Sequence, residues 1–230
     1  MNKLIDFYFD FISPYSYLAH RKIINLNQRK NFNYKGILLG GLHNLGNITA
    51  PAFNERKMKN MRDDCILIAE KNKIPFKWNE KFPINSLYLM RGFLFINKDK
   101  KDKFFDVCFD AYWKDNIDIS KEENIKKILS DSEIDEIKKD KFIDESFNAY
   151  WKDNLDISKK ENIKKILSAC NINENLFETG IEDQKIKDKL KSLTSLAFEN
   201  DVFGAPTFIV NDKLFWGQDR ISYALEELKN

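Results

Sequence analysis

Three short segments of this chain carry residue types whose spacing could do chemistry. In Phe7-Tyr-Phe-Asp-Phe-Ile-Ser13-Pro-Tyr-Ser-Tyr-Leu-Ala19, Ser13 falls where a strand-like run gives way to a helical pattern. Backbone N–H groups and the positive end of that helix would converge beside its hydroxyl, and a thiolate held there would be stabilised. The same serine could equally do no more than cap the helix. In Phe203-Gly-Ala-Pro206-Thr-Phe, a proline after small residues at the opening of an edge strand suggests a tight approach and a cis Ala205–Pro206 bond. A cis bond would expose the Ala205 backbone to pair with an extended peptide, as strand addition does. In Phe215-Trp-Gly-Gln-Asp219-Arg, Gly217 permits an unusual backbone angle. Gln218 and Asp219, at the next helix start, suit a carboxylate and an ammonium respectively, although Asp219 alone reads as a simple N-cap.

The elements that must position these residues are legible at both ends of the chain. Residues 4 to 9 are aromatic and β-branched and predict a strand. Ser13-Pro14 is a favoured helix start, and Ala19, Ile23 and Leu26, widened by Leu18, recur at helical spacing. Tyr34 to Leu39 predicts a second strand, so the opening is β-α-β with parallel pairing and a right-handed crossover. Near the other end, Ile186, Leu190, Leu193 and Ala197 mark an amphipathic helix. Thr207–Val210 and Leu214–Trp216 are strands joined by Asn211-Asp212-Lys213, a hairpin by its turn chemistry. Ile221, Ala224, Leu225 and Leu228 mark a closing helix. The fold class that follows is α/β: a thioredoxin-like core (β-α-β, then α-β-β-α) from residues 1–49 and 186–230. Residues 50–185 form a large, all-helical insertion.

The insertion contains a tandem repeat. Phe109–Ser130 (FDAYWKDNIDISKEENIKKILS) returns as Phe147–Ser168 (FNAYWKDNLDISKKENIKKILS), which defines duplicated 38-residue units at 104–141 and 142–179. Two copies are too few for a solenoid. Val107-Cys108 of the first copy becomes Glu145-Ser146 in the second, so the first head reads as the better core piece. The expectation is a composite, with the first head and the second tail in the original structure and residues 116 to 154 bulging outward.

Bulk composition bounds the function. The chain has 230 residues, 43% hydrophobic and 32% charged, enough for one large domain or a domain with an insertion. A net charge of +2, from 38 basic and 36 acidic residues, gives no field favouring nucleic acid or a membrane surface. Asp6 and Asp10 interrupt the apolar start, which does not read as a secretory signal, and no run of ~18 apolar residues would span a bilayer. Cys65, Cys108 and Cys170 are widely spaced and predict reduced structural thiols in a cytoplasmic protein. No metal site is expected.

Taken together, DFISPYSYLA near the start with GAPTF and FWGQDR near the end resemble the 2-hydroxychromene-2-carboxylate isomerases. Their relatives are the kappa-class glutathione transferases and the wider disulfide-oxidoreductase-like thioredoxin superfamily. The resemblance covers nearly the whole chain less one duplicated unit, and the opening FYFDF is closer to the isomerases. It implies a glutathione-dependent isomerase with glutathione as cofactor. Ser13 matches the catalytic serine that holds the glutathione thiolate. Ala205, before a cis Pro206, matches the position whose backbone pairs with the cysteinyl unit. Trp216, Gly217, Gln218 and Asp219 match the segment gripping the γ-glutamyl end. Asn47, Asn54 and Asn85 fall in segments lining the substrate side. The family's basic residue before the Leu45-Gly-Asn47 segment has no clear match, and nearby His43 is the candidate to take its place on the substrate side. An aromatic contact before Asn85 is replaced by Ile84.

The chemistry implied is conjugate addition of the thiolate to an aromatic, unsaturated substrate, followed by ring opening, bond rotation and elimination. Ser13 and Ser16 occupy the two redox positions of dithiol relatives. A kappa-like glutathione S-transferase and a redox-silent thioredoxin-like binding module are the rival readings. Relatives form homodimers, and no stripe in this sequence marks such an interface.

Overall fold

The computed structural model describes residues 3–96 and 136–230. Strand β1 (Ile5–Phe9) lies at the centre of a four-stranded sheet ordered β2-β1-β3-β4. It pairs in parallel with β2 (Phe32–Gly36) and antiparallel with β3 (Thr207–Val210), which pairs antiparallel with β4 (Lys213–Trp216). Register places Phe7 opposite both Tyr34 and Phe208. The Phe7 ring meets Tyr34 edge-on at 4.8 Å and stacks on Phe208 at 5.1 Å. Aromatic cross-strand pairs of this kind stabilise a sheet beyond the area they bury. The edge strand expected after Pro206 is corrected: β3 is an inner strand. Proline is tolerated because it precedes the first ladder residue, and its carbonyl accepts Gly217 N–H at 3.0 Å.

Helix α1 (Pro14–Asn25) starts as the sequence requires, with Ser13 as N-cap and proline in the first turn. It buries Tyr17, Leu18, Ala19, His20 and Ile23. Leu26 does not join the core stripe; it is the C-cap, turns outward and is 54% exposed. The second strand ends at Gly36 rather than reaching Leu39. Leu39 opens helix α2 (Leu39–Leu45) because its N–H is taken by the Asp10 carboxylate at 2.8 Å. Asn211 and Asp212 both adopt left-handed φ (53° and 58°), which is the two-residue hairpin geometry that matches strand twist.

The insertion contributes α3 (Glu55–Lys71), α4 (Leu87–Ile96), α5 (Glu136–Trp151), α6 (Lys160–Ala169) and α7 (Glu174–Glu182). The chain then returns through α8 (Gln184–Glu199) to the hairpin and closes with α9 (Ile221–Glu227). One hydrophobic cluster runs from Ile5, Phe7 and Phe9 in the sheet to Phe142, Phe147, Trp151 and Phe177 in the insertion. The inserted helices are therefore part of the same core as the sheet. None of the described helices is long and apolar enough to cross a membrane.

The composite reading of the repeat is corrected where the structure describes it. Phe147, Tyr150 and Trp151 were expected in an outward bulge, yet each is fully buried. Phe147 packs on Phe11 at 4.9 Å and on His20 at 5.1 Å, and Trp151 Nε1–H donates to Phe11 O at 2.9 Å. The second head docks because its aromatic face supplies both ring contacts and a matched donor. Ser146 is fully buried and Glu145 half-buried. Val107, Cys108 and the first copy lie outside the described residues.

Candidate active site

The residues singled out around Ser13 meet at the mouth of α1. Ser13 Oγ accepts Ser16 N–H at 3.2 Å, the capping bond, and donates to Ala205 O at 2.9 Å. The Ala205–Pro206 bond is cis. The serine is thus both a helix cap and the bridge between the first helix and the β3 approach. A helix start leaves backbone donors without intrahelical partners. Among the described residues, the N–H groups of Tyr15 and Ala205 have no such partner, and the buried Ser16 Oγ is also unpaired. This set of donors can hold an anion or an extended peptide backbone.

A cleft of about 900 Å³ opens on that mouth. Its wall nearest Ser13 includes Tyr15, Phe203, Gly204, Ala205 and Trp216. Phe203 and Trp216 pack at 4.9 Å, both partly exposed at the rim. A Cβ at Gly204 would sit 2.8 Å from Trp216 Nε1, so glycine is what allows the indole to close this edge. The opposite wall comes from α2, the loop after it, the start of α3 and residues 82–86, and includes His43, Ile48, Phe53, Lys57, Met61 and Ile84. Lys57 is the sole lysine or arginine among the described lining residues. Burial pulls the His43 pKa below its ordinary value, so the ring is neutral near pH 7.

The three asparagines behave differently from one another. Asn85 lines the cleft and starts α4 by accepting Leu87 N–H at 2.8 Å. Asn54 caps α3 through Lys57 N–H at 3.1 Å and Asn47 is an exposed residue with φ of 51°; neither is a lining residue. The structure thus gives Asn47 and Asn54 local backbone roles beside the cleft. Gly217, Gln218 and Asp219 lie past Trp216, beyond the cleft wall. Gly217 has φ of 115°, a conformation other residues rarely adopt. Asp219 is not the N-cap of α9; that position is Arg220, whose guanidinium pairs with the Asp219 carboxylate at 3.0 Å. Gln218 is buried and its Oε1 accepts from Lys22 Nζ.

Two positioning groups were missed in the sequence. Asp10 reads there only as a charge in an apolar run, yet it is fully buried in the cleft floor. Its carboxylate accepts Ile12 N–H at 3.2 Å and Leu39 N–H at 2.8 Å, which joins the Ser13 turn to the start of α2. Burial pushes its pKa up, against the downward pull of these bonds and of the Ser86 hydroxyl. Behind α1, buried His20 meets Tyr34 Oη through Nδ1 at 2.7 Å and Asp144 Oδ1 through Nε2 at 2.8 Å. Burial lowers the His20 pKa and raises that of Tyr34. The consistent protonation is a neutral imidazole donating to Asp144 and accepting from Tyr34. Hydrophobic periodicity says nothing of either group; only an aspartate or histidine out of phase with its apolar neighbours hints at them.

Cys65 and Cys170 are buried free thiols. Burial pushes the Cys65 pKa well up and that of Cys170 up to about 12, so both are poor nucleophiles.

A β-α-β unit followed by a β-hairpin and closing helix, with a capping serine facing a residue before cis-proline, defines a thioredoxin-like protein. The DSBA-like thioredoxin domain family matches residues 4–145 and again residues 136–229, and the chain belongs to that family. The chain is 25% identical over 232 residues to a 2-hydroxychromene-2-carboxylate isomerase of Sphingobium xenophagum, covering 97% of this chain and 96% of the relative. It is also 25% identical over 224 residues to the protein of that name from Pseudomonas sp. (strain C18), covering 95% and 86% respectively. Among solved structures, a 2-hydroxychromene-2-carboxylate isomerase superposes with a TM-score of 0.69 at 21% identity, covering 98% of this chain and 94% of that one. That structural likeness shows the thioredoxin-like fold.

Proposed function

We propose that this protein is a glutathione-dependent isomerase acting on hydroxychromene-type carboxylates. The observation that carries the reading is the Ser13–Ala205 bridge at 2.9 Å, set at a helix mouth beside a large apolar cleft. The names of the full-length relatives support it. The residues present fit the tripeptide: an unpaired Ala205 N–H and its carbonyl offer strand-like pairing, and the Ser13 hydroxyl can turn from Ala205 O to a sulfur anion.

Glutathione, when bound, supplies the thiolate that adds to the unsaturated ring and leaves after a single bond has rotated. Ser13 Oγ–H and the orphan donors of α1 favour the charged sulfur over the neutral thiol. Lowering a thiol pKa from about 8.5 towards 7 raises its anionic fraction at neutral pH by about an order of magnitude. A flat acceptor seated against the apolar walls would displace water from the sulfur, which would strengthen those interactions. Phe53, Ile84 and Met61 offer surfaces for a flat acceptor.

The test is to incubate the enzyme with glutathione and a 2-hydroxychromene-2-carboxylate and to follow absorbance and product mass. The expected product has the substrate's mass and the trans-benzylidenepyruvate spectrum, with glutathione undiminished. A stable glutathione adduct would instead make the protein a kappa-like transferase. No saturable heat of glutathione binding would leave a redox-silent binding module.

A further inference from the structure

Lys22 is a half-buried lysine for which the described residues offer no ion pair. It lies on α1 with its stem half-buried, and no carboxylate among the described residues comes within ion-pair distance of its Nζ. Among the described residues its ammonium donates to the neutral amide oxygen of Gln218 alone. A lysine ammonium has three donors and is costly to keep away from water without an anion. Asp219 is near enough to act on Lys22 through its charge, but its carboxylate is held by Arg220. A cation, an amide and a carboxylate thus sit together, and among the described residues the cation has no second protein acceptor.

We propose that Lys22 binds the α-carboxylate of the γ-glutamyl unit, so that Lys22 and Asp219 together recognise an α-amino-acid head group; this rests on the glutathione reading above. The distances suit it. Lys22 is nine positions on from Ser13, ~13.5 Å along a helix. Side chains on a helix lean back towards its N-terminus, which brings the ammonium closer to the helix mouth. An extended tripeptide spans about 10 Å at ~3.3–3.6 Å per unit. The path between is continuous: Gly217 N–H is tied to Pro206 O at 3.0 Å, so Gln218 and Asp219 follow directly from the Ala205 side of the cleft. Anchoring the far end of the tripeptide in this way fixes where its sulfur falls relative to Ser13.

Titration calorimetry with three probes tests the assignment: glutathione, 4-aminobutyryl-Cys-Gly (no α-carboxylate) and glutaryl-Cys-Gly (no α-ammonium). Lys22→Met should weaken glutathione at least tenfold and leave the 4-aminobutyryl peptide unchanged, while Lys22→Arg keeps most of the affinity. Asp219→Asn should weaken glutathione and the 4-aminobutyryl peptide, and spare the glutaryl peptide. If Lys22→Met binds glutathione like wild type, or loses both peptides equally, the assignment is wrong while the glutathione reading stands. If the wild-type protein binds none of the three, both fall together.

Discussion

The two walls of the cleft are built on different principles. The wall at Ser13 uses backbone geometry and capping bonds set by regular elements: the first turn of α1 and the segment that leads into β3. The wall opposite is made of short segments: α2, the loop at 46–53 and residues 82–86. Its contacts are mainly apolar side chains with a single lysine. A wall of backbone groups holds one ligand geometry almost regardless of the surface around it. A wall of exchangeable apolar side chains sets which acceptor fits, and single substitutions there retune it. The first should be brittle to mutation and the second tolerant.

Ser13→Ala should break the first wall and have the largest effect. It removes the hydroxyl facing the sulfur site, and turnover should fall at least tenfold, in line with the loss of thiolate. Losing the cap costs folding about 1 kcal/mol, which urea denaturation will read. The ultraviolet absorbance of bound glutathione thiolate should shift to higher pH in the variant. Turnover near wild type would mean that the hydroxyl is only a cap.

The same wall is held from behind by His20 and Asp144, and this support should show as acid sensitivity. Burial holds the His20 pKa below its ordinary 6.5. For Asp144 burial pushes upward, but the hydrogen bond from His20 and the nearby Arg21 and Arg29 charges outweigh it and hold the carboxyl below its ordinary 3.8. In both cases the unfolded chain takes up protons first. Stability is therefore complete above about pH 6.5 and is lost as pH falls, through His20 and then through Asp144. Asp144→Asn should lower the plateau by about 1–3 kcal/mol, because the His20 N–H loses its charged acceptor. It should also flatten the lower acid limb of the urea midpoint plotted against pH. An unchanged limb would place the acid sensitivity elsewhere.

On the tolerant wall, Lys57→Ala should raise KM a few-fold for a carboxylated acceptor and leave kcat and the thiolate titration unchanged. Lys57 shares a helix face with Met61 one turn later, and both line the cleft. Parallel kinetics with the acceptor's methyl ester would show no difference between variant and wild type if the ammonium meets the carboxylate. An equal loss on the ester would make Lys57 a packing residue.

What the sequence makes legible follows the same division. The Ser13 cap and the hairpin were legible because each depends on a local signal, a cap before proline and Asn-Asp between strands. Small residues before Pro206 only suggest a cis bond, and the family resemblance is what implies it. The Lys22–Gln218 contact spans 196 residues of chain and the Asp10–Leu39 bond 29, and no local pattern encodes such partners. The end of β2 differs for that reason: Leu38 and Leu39 look like strand, but their N–H groups go to the distant Thr194 hydroxyl and Asp10 carboxylate instead of a ladder.

The duplicated unit gives the smallest expected effect and the sharpest view of what the site needs. The sequence Lys-Lys-Asp-Lys-Phe occurs at 100–104 and again at 138–142. Deleting residues 104–141 therefore joins Asp102 to the retained second head and puts it where Asp140 now pairs with Arg29. Phe142, Phe147 and Trp151 stay, and so do the His20–Asp144 contact and the Trp151 bond to Phe11 that braces the Ser13 turn. Because closure entropy changes only logarithmically with length, the shorter connection gains about 1 kcal/mol at most. The shortened chain should keep its urea midpoint and its turnover within about twofold. If it loses both, the 38 residues supply support to the cleft that the contacts of the second head do not.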